Sequence, residues 1–251
     1  TNLGTVNPTG TLTANVATAI DVSTNGTLGN VDTYNVTGTL TLTAAQASAK
    51  TVTGTGAITV TGVADTTDLS NFAAAATVTA TVTSSADLSG VDVSSVDLFE
   101  VASGQTLTLS GAQASGTTVT GAGNVAVDDL GATSVDLSGI TATGTLTAEV
   151  PASATLNSGT NLGNFDVTVA SGQTFTLTAA QADGQTISGA GNVTVTDLGS
   201  AVVDLSGITV SGTKTVEFDA TATLATGMDL DGFAVTVDTG AVLTLTAAQA
   251  D

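Results

Sequence analysis

The sequence predicts an all-β fold, a parallel β-solenoid of about three coils per 68-residue repeat with a short helical turn at one recurring corner. Three observations predict it. A block recurs as Thr43-Ala44-Ala45-Gln46-Ala47, Ser110-Gly111-Ala112-Gln113-Ala114, Thr178-Ala179-Ala180-Gln181-Ala182 and Thr246-Ala247-Ala248-Gln249-Ala250, its glutamines 67, 68 and 68 residues apart. Apolar and polar residues alternate with period 2 between the blocks, which marks strands with one buried face. Glycines interrupt the runs at turn-like intervals. Self-similarity at a fixed period means stacked units, each burying its apolar face on the next.

The cleanest unit is 165–232. Phe165, Val167 and Val169, then Phe175 and Leu177, Val193 and Val195, and Val216 and Phe218 occupy the alternate inward places, with Thr or Asp between them. Thr178-Ala-Ala-Gln181 fits a capping box, in which a Thr hydroxyl accepts from the N–H three residues on and Gln reaches back. Gly184 follows as its stop, so the glutamine reads as structural. The unit divides into 165–189, 190–212 and 213–232, with NVTVTDL, VVDLS and ITVS as the strands of the middle piece. Pieces of ~20–25 residues with three short strands are the scale of solenoid coils. About eleven would fit the chain, giving a rod of roughly 50 Å at ~4.8 Å per coil. Small inward side chains suit a narrow core, with Phe165, Phe175, Phe218 and Phe233 in its wider places. The alternative is a string of small tandem β-sandwich domains. Such domains need about 100 residues and an aromatic core, whereas Trp is absent and the only prolines are Pro8 and Pro151.

The repeat extends well beyond its marker. Residues 121–144 (GAGNVAVDDLGATSVDLSGITATG) match 189–212 (GAGNVTVTDLGSAVVDLSGITVSG), and 9–32 match 143–166. One continuous array over 1–251 is expected: a partial repeat at 1–30, repeats at about 31–96, 97–164 and 165–232, and a partial repeat at 233–251. Neither end carries an atypical capping repeat. The chain therefore reads as a segment of a longer array or a processed subunit, with Thr1 and Asp251 at opposite, stackable ends.

Charge and composition narrow the function classes. The 22 acidic residues face two lysines, Lys50 and Lys214, for a net charge of −20. That balance opposes nucleic-acid binding, which needs cationic side chains, and docking on anionic membranes. No apolar run approaches the ~18 residues of a membrane helix. The abundance of Val and Thr argues for folded strands over an acidic disordered chain. Without His or Cys, nucleophilic machinery built on those residues is excluded, and the absence of Arg removes the usual phosphoryl-transfer apparatus. A carboxylate pair could hydrolyse a glycoside, but Glu149 and Glu217 occupy equivalent places in two repeats and read as repeated structure. No catalytic residue is expected.

The candidate metal ligands are aspartates. Asp129 and Asp136 recur as Asp197 and Asp204, and Asp229-Leu-Asp231-Gly232 supplies another close pair. Hard cations such as Ca²⁺ take several carboxylate and carbonyl oxygens, and Asp-Gly turns on adjacent coils would offer them. The competing reading is that Asp caps turns through backbone N–H groups. Thr-x-Thr pairs such as Thr106-Leu-Thr108, Thr174-Phe-Thr176 and Thr194-Val-Thr196 resemble the ladders of ice-binding solenoids. Their uneven spacing favours ordinary solvent-side β-branched residues.

The run LTLTAAQADG, followed by GAGNVTVTDLG and VDLSGI, resembles the Thr/Ala/Gly-rich β-strand repeats of large bacterial surface proteins of adhesin-like, S-layer-like or extracellular-matrix type. The resemblance implies export to the cell surface, a structural or adhesive role and frequent Ca²⁺ dependence, and it carries no catalytic residue. The expected function is a non-enzymatic solenoid spacer or self-associating filament or lattice unit. An adhesin stalk or a solenoid binding polysaccharide or ice is the alternative. Self-association end to end or laterally is the expected partnership, with polysaccharide second and no membrane insertion.

Overall fold

The computed structural model describes residues 9–24, 31–74, 77–131, 134–230 and 232–249. The protein is all-β, its parallel strands stacked as a β-solenoid of about 11 turns with few helices. The chain divides into two compact units, Thr1–Gln113 with Thr117–Val125 and Gly139–Thr145, and Ala114–Gly116 with Ala126–Ser138 and Leu146–Asp251. Asp231 and both chain ends, Thr1 and Asp251, lie outside the described residues.

In the first unit one ladder stacks Thr13–Val16, Thr33–Val36, Thr51–Gly54 and Phe72–Ala74. A second stacks Ile20–Asp21, Thr39–Thr43, Ala57–Thr61, Val78–Val82, Leu98–Val101 and Thr118–Gly121. In the second unit Leu146–Val150 pairs Asp166–Val169, which pairs Ile187–Gly189. Beside it, Ala154–Thr155, Thr174–Thr178, Asn192–Thr196, Lys214–Phe218 and Ala234–Val237 form another ladder. All these pairings are parallel, and neighbouring rungs are 18 residues apart at Tyr34↔Val52 and 21 apart at Ala86↔Leu107.

Period-2 alternation sets the core as the sequence predicts. Val167, Val169, Phe175, Val193, Val195 and Val216 are wholly buried, and Phe165, Leu177 and Phe218 nearly so. Phe233 is half-buried instead, and its ring lies 4.7 Å from the Lys214 ammonium. The Val202–Ser206 stretch, expected as a strand, is not one. Val202 is exposed, Asp204 and Ser206 form a turn, and the following segment joins the ladder through the isolated bridge Ile187↔Ile208 and a backbone hydrogen bond from Ser211 to the Gly189 carbonyl, without forming a strand.

Each repeat holds three coils and one further strand. Three rungs carry Leu42 through Val60 and Ala80 to Phe99. The counterpart of Leu42 one repeat later is Leu109, however. Phe99 is the counterpart of Tyr34, which belongs to the other ladder of its unit. The second unit repeats the pattern: Leu177 leads through Val195 and Val216 to Val235. Val235 is the counterpart of Val167, whose rungs are Ala148 and Ile187. Equivalent residues therefore move to the next sheet with every repeat, because 68 residues exceed three coils of this length.

Two glycine environments separate conformational from steric need. Gly116 and Gly184 follow the marker helix with φ of 73° and 69°, and a Cβ on either would meet nothing within 4 Å. At the equivalent place of the first repeat stands Ala49, with φ 58°. Gly189, by contrast, lies against the preceding coil, where a Cβ would sit 2.3 Å from the Val169 carbonyl oxygen. A left-handed non-glycine residue costs roughly 1–2 kcal/mol. Ala49→Gly is accordingly expected to raise stability by about 1 kcal/mol and Gly184→Ala to lower it by about the same. Gly189→Ala is expected to cost more than either, because the clash is with backbone. Equilibrium urea unfolding of the three variants checks the ranking.

Tyr34 is 2% exposed, and its buried hydroxyl has no hydrogen-bond partner. Burial pushes the phenol pKa up. The next repeat places Phe99 at the same position, and it too is buried. Leaving a buried hydroxyl unpaired costs about 1–3 kcal/mol. Tyr34→Phe is expected to increase stability by about 1 kcal/mol in the same measurement.

Candidate functional site

The recurring corner is a staple between coils. Ala44–Ala47 and Ala179–Ala182 are single helical turns with complete capping boxes. The Thr43 and Thr178 hydroxyls accept from the Gln46 and Gln181 backbone N–H groups, and each glutamine side chain accepts from the threonine's own N–H. The amide nitrogen is left to donate to the previous coil. Gln46 Nε2 reaches the Val22 carbonyl at 2.9 Å, Gln113 Nε2 reaches Leu88 and Val91, Gln181 Nε2 reaches Asn157 and Thr160, and Gln249 Nε2 reaches Ala225. One side chain thus satisfies a helix N-terminus and carbonyls of the turn about 24 residues earlier. Its donors and acceptors are used structurally, as the capping-box spacing predicts.

The aspartates divide into turn caps and a stacked pair. Asp136 Oδ1 accepts from the Ser138 N–H at 3.0 Å, and Asp204 Oδ1 accepts from the Ser206 N–H at 3.0 Å and hydroxyl at 2.6 Å. The same Asp-x-Ser turn recurs at Asp21, Asp68, Asp87 and Asp92. The serine hydroxyl and then the serine N–H hold these carboxyls below their ordinary pKa. Two of the candidate cation ligands, Asp136 and Asp204, are therefore engaged in turns. The recurrent Asp-x-Ser spacing was the signal for this role.

Asp129, Asp197 and Asp229 are exposed. Asp197 adopts a left-handed backbone, φ 56°, which Asp tolerates better than most residues. It lies beside Asp219 on the next coil, in a cleft of about 180 Å³ also lined by Ser200 and Thr221. Asp219 is a residue that sequence spacing did not single out. Its carboxyl pKa is pushed up by desolvation, then by the Asp197 carboxyl as hydrogen-bond partner and like charge, with Asp238 adding to the repulsion. Among the described residues no group of three or more carboxylates converges as metal ligands would. Asp128 Oδ1 is buried without a hydrogen-bond partner in the second unit.

Threonine columns form where rungs align. Thr41, Thr59 and Thr79 are in register in the first unit, as are Thr43, Thr61 and Thr81. Leu98 and Glu100 occupy the next rung of the same columns. Thr176, Thr194 and Thr215 align in the second unit, and Ala234 follows them. Some of these hydroxyls are turned back onto the scaffold, as Thr61 is to the Leu42 carbonyl at 3.1 Å. Glu149 and Glu217 hold equivalent rungs, opposite Thr168 and Thr236 in separate ladders. No helix among the described residues is long and apolar enough to cross a membrane.

The stacked pair and the turn caps have opposite pH signs. Asp219, with its pKa raised in the folded state, favours folding while protonated and loses that contribution as pH rises through its folded pKa. The Asp-x-Ser carboxyls favour folding when ionised and lose that contribution as pH falls through theirs. Asp219→Asn is therefore expected to raise Tm at pH 7 and to leave it nearly unchanged at pH 3. Asp204→Ala is expected to lower Tm at pH 7 more than at pH 3. Calorimetric scans at the two pH values check both.

The chain matches no protein-family model, no curated protein and no solved structure.

Proposed function

We propose that this chain is a non-enzymatic structural protein of the bacterial surface or extracellular space, a β-solenoid spacer that also serves as a self-associating filament or lattice unit. The observation that carries the reading is the use of its polar chemistry. The marker glutamines hold coil to coil, and the Asp-x-Ser carboxyls hold turns, repeat after repeat. Such groups maintain a scaffold and present no constellation of nucleophile, base and oxyanion donor. Exposed Val235 and Val237 on the parallel strand Ala234–Val237, with Val242 and Leu245 flanking the strand Leu243–Thr244, supply an apolar edge of the kind that drives strand-to-strand association. The net charge of −20 makes that association sensitive to cations, Ca²⁺ foremost, through screening of carboxylate repulsion.

A second reading, a stalk or solenoid that binds polysaccharide or ice, draws support from the aligned threonine columns. Sedimentation velocity and electron microscopy of the purified chain, with and without millimolar Ca²⁺, separate the two. Filaments or sheets are expected, more abundant with Ca²⁺. A strictly monomeric protein in both conditions, together with thermal hysteresis or glycan binding abolished by Thr59→Val, would favour the second reading.

A further inference from the structure

We draw no further inference here: the strongest candidate, the small cleft of the second unit where Asp197 and Asp219 of adjacent coils stack beside Ser200 and Thr221, belongs to the site already described, and nothing in it besides the carboxyls points to a ligand.

Discussion

The structure depends on the backbone hydrogen bonds between coils, made in a fixed register. A parallel ladder lets each inward Val, Leu or Phe sit directly over another about 20 residues earlier. Slipping that register by one residue would turn every inward side chain to solvent. The alternation of Val and Thr is therefore a register code, and the remaining features keep it in phase. The marker glutamine ties each helical corner to carbonyls of the previous turn. A Gly-x-Gly step, as at Gly189-Ala-Gly191, lets one coil descend close enough for its N–H to reach a valine carbonyl. The Asp-x-Ser turns close the corners without a long loop.

These devices explain how a core with few aromatics is held. Inward residues are small, so each coil buries little apolar area by itself. The gain comes from stacking, in which every buried face is shared with the coils on both sides. Val235 and Leu245 show the converse. Their counterparts Val167 and Leu177 are almost wholly buried, and the difference is the presence of a covering coil. Burial here is a property of the neighbour more than of the residue.

Most of the architecture was legible in the sequence because alternation and repetition are local signals. The inward set of Phe165, Val167, Val169, Phe175 and Leu177 and the capping box at Thr178 could be read directly. Coil length was harder. Val202-Val203-Asp204-Leu205-Ser206 has strand composition, yet the Asp204–Ser206 turn takes it out of the ladder. Reading it as a strand divides the repeat into three pieces and hides the extra strand. Turn capping by Asp136 and Asp204 was the alternative to Ca²⁺ binding, and the Asp-x-Ser spacing that marks it became visible only with the turns themselves. The pairing of Asp197 with Asp219 was not legible, because two residues 22 apart become neighbours only once the coil step is known.

The extra strand in each repeat also limits what the surface can be. In the first unit a threonine column gathers one residue from each of three coils of a repeat, Thr41, Thr59 and Thr79. The fourth rung belongs to the next repeat's first strand, and there the column meets Leu98. The second unit behaves the same way, with Thr176, Thr194 and Thr215 followed by Ala234. A repeat of three whole coils would have aligned like residues without limit. A repeat of three coils plus a strand ends each column after three rungs and carries equivalent residues to the next sheet. Sequence periodicity is thus spent on distributing the corners and staples around the coil, which suits a scaffold stabilised on every side better than one continuous flat binding face.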